Sequence, residues 1–402
     1  MRSSWQTKKL SEVCNFYNGL WKGKEPPYIE VGVIRNTNIT KEGKLDDSDI
    51  AHLKVEKKQF EKRKLALGDI VLEKSGGGPK QPVGRVIIFD KKEGNFSFSN
   101  FTSAIRVKDK SELDFNFLHK FLFFSYISGI TEGMQSHSTG IRNLDFGAYK
   151  EIPIPLPSLY EQRRIVKILD EVFEKIAKAK ENTEKNLKNS RELFKSYLKN
   201  IFANQGRGWE EKKLGEVCNF QNGFAFKSRL FKPSGFPILR ISNIQNDGIS
   251  YRRLVFFDKS LYKENFDKYQ IIKGDLVIAM SGATTGKLAI SDANETFYMN
   301  QRVGRFDPKN SLSKKYLYYF MSTRIEENLR ISSGAAQPNL STEQIRNFEI
   351  PLPTLSEQKS LVKKLDALSA EAKKLEAIYR QKLADLEELK KSVLKRAFNG
   401  DL

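Results

Sequence analysis

The chain is one sequence written twice. WQTKKLSEVCNFYNG at residues 5–19 returns as WEEKKLGEVCNFQNG at 209–223. GDIVLEKSG at 68–76 returns as GDLVIAMSG at 274–282, and IPIPLPSLYEQ at 152–162 returns as FEIPLPTLSEQ at 348–358. The landmarks keep their order while the loops between them change length. A unit of roughly two hundred residues far exceeds the roughly 20–50 of a solenoid repeat. It is a duplicated domain with its own connector, so internal pseudo-two-fold symmetry is expected, with two of whatever the molecule binds.

Charge narrows the partner. Lys and Arg number 69 against 49 Asp and Glu, a net charge of +20. Such an excess points to a polyanion, of which nucleic acid is the usual one. No apolar stretch approaches the ~20 residues of a membrane span, and MRSSWQTKKL lacks the apolar core of a signal peptide, so no membrane is expected. The two cysteines, Cys14 and Cys218, fall at equivalent places inside EVCNF and read as small core residues. A reducing cytoplasm fits them.

Each copy divides into a globular part, 1–157 or 206–353, and a long helix, 158–205 or 354–402. The globular parts mix short β-rich runs (28–34, 70–72, 85–89, 276–280) with one amphipathic helix each, at 115–125 and 314–323. STEQ at 341–344 is a capping box opening a further short helix. Ser158…Glu161 and Thr354…Glu357 have the same form, and no Pro or Gly follows until Gly206 and Gly400. Helices of about 43 residues, roughly 65 Å at 1.5 Å per residue, are too long to lie on one small domain.

Four-and-three spacing places Ile165, Leu169, Val172, Ile176, Leu193 and Tyr197 on a seam of the first helix, with polar Asn186 on the same row. The second helix repeats it with Leu361, Leu365, Leu368, Leu375, Leu389 and Val393, with Lys382 at the matching polar site. Both seams need a partner, and packing them together antiparallel is the economical solution. The expected fold class is α+β: two mixed α/β domains separated by two long antiparallel coiled-coil helices.

This architecture, with PLPSLYEQRRIVKILD and PLPTLSEQKSLVKKLD opening the helices, resembles the specificity (S) subunit of Type I restriction–modification enzymes over essentially the whole chain. The resemblance implies that each globular part is a target recognition domain reading one half of a bipartite site in double-stranded DNA. It implies that the helices set the half-site spacing and dock two methyltransferase (M) subunits, and that restriction (R) subunits join them. The complex would then direct N6-adenine methylation and DNA cleavage. S-adenosylmethionine, ATP and Mg would sit on the partner subunits, with no cofactor or metal bound by this chain.

The chain's own residues offer little chemistry. An adenine methyltransferase needs an Asn/Asp-Pro-Pro-aromatic motif, and the one Pro-Pro, Pro26–Pro27, follows Glu25. SGATTGK at 281–287 has three residues between its glycines where a phosphate-cradling loop needs four. His52, His119 and His137 are scattered through the first copy only. A non-catalytic subunit is therefore expected, against two alternatives: a self-sufficient modification or restriction enzyme, and a basic coiled-coil scaffold.

DNA-reading candidates lie where loops differ and frames agree. After GDIVLEKSG and GDLVIAMSG come glycine-rich basic loops carrying Lys80 and Arg85, or Thr284, Thr285 and Lys287, suited to phosphates. The polar stretches SHSTGIRNL and SSGAAQPNL offer Arg142, Asn143, Gln337 and Asn339 for base edges, though the two asparagines could equally cap helices. Arg302 has no evident structural duty, while Arg35, Asn38, Arg240 and Asn243 either read DNA or end a strand. Unlike loops on like frames predict an asymmetric target.

Overall fold

The computed structural model describes residues 5–78, 81–136, 141–204, 206–245, 248–324 and 339–402. The chain forms two compact units, Met1–Glu184 with Gln381–Leu402, and Lys185–Arg380. The divisions between the units fall inside the long helices. The reason lies in the cores, each of which recruits helix segments from distant parts of the chain.

The first unit centres on an antiparallel sheet in the order Cys14–Asn18, Thr102–Val107, Ile70–Glu73, Val86–Ile88. The second unit repeats that order with Cys218–Asn222, Val303–Pro308, Leu276–Ala279 and Leu288–Ile290. A second sheet in each unit contains one parallel pair, Tyr28–Ile34 with Phe96–Phe98 and Phe236–Leu239 with Phe297–Met299. Helices Phe115–Ile127 and Lys314–Thr323 stand where the amphipathic runs predict them. Cys14 and Cys218 are buried core residues, and burial pushes both thiols up to about 12.

The repeated motifs at the two ends of each copy meet in space. Gln6–Lys9 pairs antiparallel with Pro153–Leu156, and Glu210–Lys213 with Glu349–Leu352, in the same register. The motif glutamine then fastens the long helix to its domain. Gln162 is fully buried; its Nε2 donates to the carbonyls of Glu112 (2.9 Å) and Pro157 (2.8 Å), and its Oε1 accepts from Asp114 N–H (2.8 Å). Gln358 makes the matching three bonds to Ser311, Pro353 and Ser313. Buried polar side chains must be satisfied in this way, which explains the PLPxLxEQ ending in both copies.

The long helices run Leu159–Ala203 and Leu355–Phe398. In the first unit Arg164 Nη2 donates to the Leu402 carbonyl (2.7 Å) and Lys180 bridges to Glu387 (2.8 Å), which makes the pairing antiparallel. In the second, Arg191 bridges to Glu376 (2.9 Å), and Leu198 and Phe202 share a core with Val362 and Leu365. Each helix ends inside a domain core. Phe398 packs edge-on against Phe117 and Phe121 (centroids 5.4 and 5.3 Å), and Phe202 does the same against Tyr316 and Phe320 (5.4 and 5.5 Å). No described helix is long and apolar enough to cross a membrane.

The seam departs from its predicted phase. Ile165, Leu169, Ile176 and Leu365 are buried, and Val172, Leu361 and Val393 half-buried, as the spacing predicts. Leu193 (72% exposed), Tyr197 (40%), Leu368 (40%), Leu375 (40%) and Leu389 (47%) instead face outward. Asn186 and Lys382 are exposed with them. In the second helix the neighbours Ser369, Glu376, Leu383 and Lys390 take the inward sites, one residue later on alternate turns. The cause is anchoring. Leu394, Ala397 and Phe398 are committed to the first unit's core, and this sets the rotation of that stretch of helix.

Candidate nucleic-acid interface

Four candidate segments of the first copy converge at one end of its central sheet. Strand Ile70–Glu73 delivers Lys74 and Ser75, whose N–H groups donate to the Phe101 carbonyl (3.0 and 3.2 Å). Leu144 N–H donates to the Lys74 carbonyl (2.8 Å), and Arg142–Leu144 pairs with Ser75–Gly77. Asn36 Nδ2 donates to the Ser75 carbonyl (2.6 Å). The Lys74 ammonium donates to Asn18 Oδ1 (3.1 Å), and partial burial holds its pKa below the usual lysine range. Gly76 (φ +99) permits the crossing, because an added Cβ would lie 2.9 Å from Asn36 Nδ2.

The second copy assembles the same junction from different side chains. Met280 N–H donates to the Arg302 carbonyl (2.9 Å), and Leu340 N–H to the Met280 carbonyl (2.8 Å). Ser281 bridges to Asn339, just as Ser75 pairs with Asn143. Arg302 Nη1 donates to Asn339 Oδ1 (3.2 Å), and Lys287 Nζ to Gln245 Oε1 (3.4 Å).

Several sequence candidates are held by internal partners. Arg85 is buried and forms a two-pronged ion pair with buried Glu73 (both bonds 2.8 Å), while also donating to the Asn36 and Ile39 carbonyls. It belongs to the fold, and its counterpart Lys287 faces Ala279 instead of a carboxylate. Asn38 and Asn243 are buried, each accepting from the N–H three residues back and donating to two carbonyls of a neighbouring loop. Arg35 pairs with Asp49 (3.2 Å), and Arg240 Nη2 donates to the Arg253 carbonyl (3.2 Å). Buried Thr285 closes the 3-10 turn Gly282–Thr284 through Gly282 O (2.6 Å), and half-buried Thr284 lies on that turn. SGATTGK then enters strand Leu288–Ile290, whereas a phosphate-cradling loop opens a helix.

The aligned asparagines are not helix caps. Asp145 caps Phe146–Lys150 and Ser341 caps Thr342–Arg346, the latter with the complete capping box. Asn143 instead accepts from Ser75 Oγ. Arg142, Asn143 and Lys287 are half-buried, and Arg302 and Asn339 exposed, so these five remain on the surface of the junctions. Lys80, His137 and Gln337 lie outside the described residues. Sequence reasoning did not single out Asn36 and Phe101; the first is placed here by its side-chain bond to Ser75 and the second by strand register.

A family model described as the Type I restriction modification DNA specificity domain matches residues 2–189 and again 206–384. The chain is 30% identical to the Type I restriction enzyme MjaVIII specificity subunit of Methanocaldococcus jannaschii, over 67% of this chain and 66% of that relative. The fold is shared with a chain from work on complex assembly and conformational transition of the type I R-M system, at 21% identity, with TM-score 0.81 and 100% and 99% of the two chains covered. It is shared also with the HsdS subunit from Thermoanaerobacter tengcongensis, at 20% identity, with TM-score 0.64 and 100% and 98% covered. Because the family's domain matches twice, once along most of each half, the chain belongs to the Type I restriction modification DNA specificity family.

Proposed function

We propose that this chain is the DNA-recognition subunit of a Type I restriction–modification complex and carries no catalysis itself. One observation carries the reading. In each unit the same three segments meet on the same backbone frame, Lys74–Ser75, Phe101 and Asn143–Leu144 in one and Met280–Ser281, Arg302 and Asn339–Leu340 in the other, yet they present different side chains, Lys74 and Phe101 against Met280 and Arg302. A shared frame supplies position and unlike side chains supply sequence information, which is the division between phosphate and base contacts. Two such readers imply an asymmetric bipartite site, and the charge of +20 supplies attraction to its backbone.

The outward residues of the long helices fit the docking of methyltransferase subunits. In the second unit Leu193, Leu375 and Tyr379 line a cleft of about 500 Å³ between the helices. Exposed apolar residues grouped in this way mark interaction surfaces. Methylation of adenine N6, and cleavage with restriction subunits, would then use S-adenosylmethionine, ATP and Mg held by those partners.

Binding of random duplexes by the full chain, measured across a salt series, tests the core of the reading. Affinity should fall steeply with salt and selection should return a two-part motif. A flat salt response would leave a scaffold. Methyl transfer by the purified chain without a partner would make it an enzyme. Leu193→Asp with Leu375→Asp should keep DNA binding while abolishing methylation in the assembled complex.

A further inference from the structure

Strand register pairs two residues that the sequence alone does not align. Glu73 lies opposite Thr102 and Ala279 opposite Val303, so Thr102 matches Val303 and the residue before each matches too. Those residues are Phe101 and Arg302. The carbonyls confirm the match, since Phe101 O accepts from Lys74 N–H and Arg302 O from Met280 N–H.

We propose that Phe101 and Arg302 are the paired base-reading residues of the two domains. The Phe101 ring would meet the methyl edge of a thymine in one half-site, and the Arg302 guanidinium the O6/N7 edge of a guanine in the other. This rests on the reading that the junctions face DNA.

Both residues are rigidly presented. Thr102 N–H donates to Ser99 O (3.0 Å) and Val303 N–H to Asn300 O (2.8 Å), closing the turn beneath each, and the carbonyl clamps fix the other side. The residue that follows each is buried, whereas Phe101 is 47% exposed and Arg302 is exposed. Among the described residues Phe101 belongs to none of the hydrophobic clusters of its unit. A half-exposed ring on a locked turn loses hydrophobic stabilisation that a less apolar residue would not forgo. Gly76 lies beside it, and a Cβ there would stand 3.7 Å from the ring. Among the described residues the Arg302 guanidinium has one hydrogen-bond partner, Asn339 Oδ1, which aims it, and a guanidinium carries five N–H donors in all. Apolar side chains read thymine methyls, and arginine reads guanine through two hydrogen bonds.

Site selection from random duplexes with the full chain and its Phe101→Ala and Arg302→Ala variants tests the pairing. Each variant should blur one base position, in opposite half-sites. Deoxyuridine for thymidine at the first position should weaken wild type about tenfold and leave F101A unchanged, and 7-deazaguanine at the second should do the same for R302A. Phe101→Arg should shift its position toward guanine. Wild-type motifs from both alanine variants would overturn the pairing while leaving the DNA-recognition reading intact. Failure of the wild-type chain to select any motif would instead remove that reading.

Discussion

At the scale of single residues, two counterparts in the repeat do opposite work. Arg85 balances a buried carboxylate, so Arg85→Ala should strand Glu73 and destabilise the first unit by about 3–5 kcal/mol. Lys287 sits half-exposed beside Ala279. Lys287→Ala should therefore leave unfolding unchanged and lower the salt slope of DNA binding by about one. Thermal melts and salt titrations of the two variants separate these roles. His119 gives a second prediction. Burial pushes its imidazole down to about 4, with Lys120 adding to the effect. An unfolded chain binds that proton below about 6.5, so the stabilisation is complete above that pH and is lost as pH falls toward 4, about 3 kcal/mol in all. His119→Leu should flatten this acid loss in the first unit. The second unit contains no histidine and lacks this contribution.

Residue roles were the least legible part of the sequence. Arg85 reads as a phosphate ligand until Glu73 is seen across the hairpin, and Asn38 reads as a base reader until the loop that it supports is in place. The equivalence of Phe101 and Arg302 is hidden by a shift of alignment that only cross-strand partners resolve. Signals confined to a few neighbouring residues, such as the Ser341 capping box, could be read directly because their partners lie within one turn.

Elements were largely legible, and their rotation was not. The extents of the long helices follow from capping residues and the absence of breakers, both local properties. Which face turns inward depends on where each helix is pinned, and Phe398 and Phe202 pin them in cores remote in sequence. A pair of substitutions separates the seam that is used from the one suggested by spacing. Leu169→Ala, at a fully buried site, should cost about 2–5 kcal/mol. Leu193→Ala, at a site 72% exposed, should change the chain's stability by less than about 0.5 kcal/mol. Denaturant unfolding monitored by far-UV circular dichroism measures both.

For the whole molecule, duplication was legible and the composition of each unit was not, because the first unit joins residues separated by nearly two hundred positions. Ending the chain at Arg380 should unfold the first unit, which loses Leu394, Ala397 and Phe398, while the second unit retains every segment of its core. Hydrogen exchange on the truncated chain should show protection in the second unit alone. Phe398→Ala should weaken the first unit by about 3–5 kcal/mol.

The late position of Phe398 also orders events on the ribosome. Chains emerge at about 5–20 residues per second, so the first unit's strands wait on the order of 10–40 s for the helix segment that completes them. Phe117 and Phe121 lack the Phe398 ring throughout that interval. The second unit receives Phe202 before its own strands are made. The half synthesised first is thus the half that matures last, and its nascent form is a natural client for chaperones.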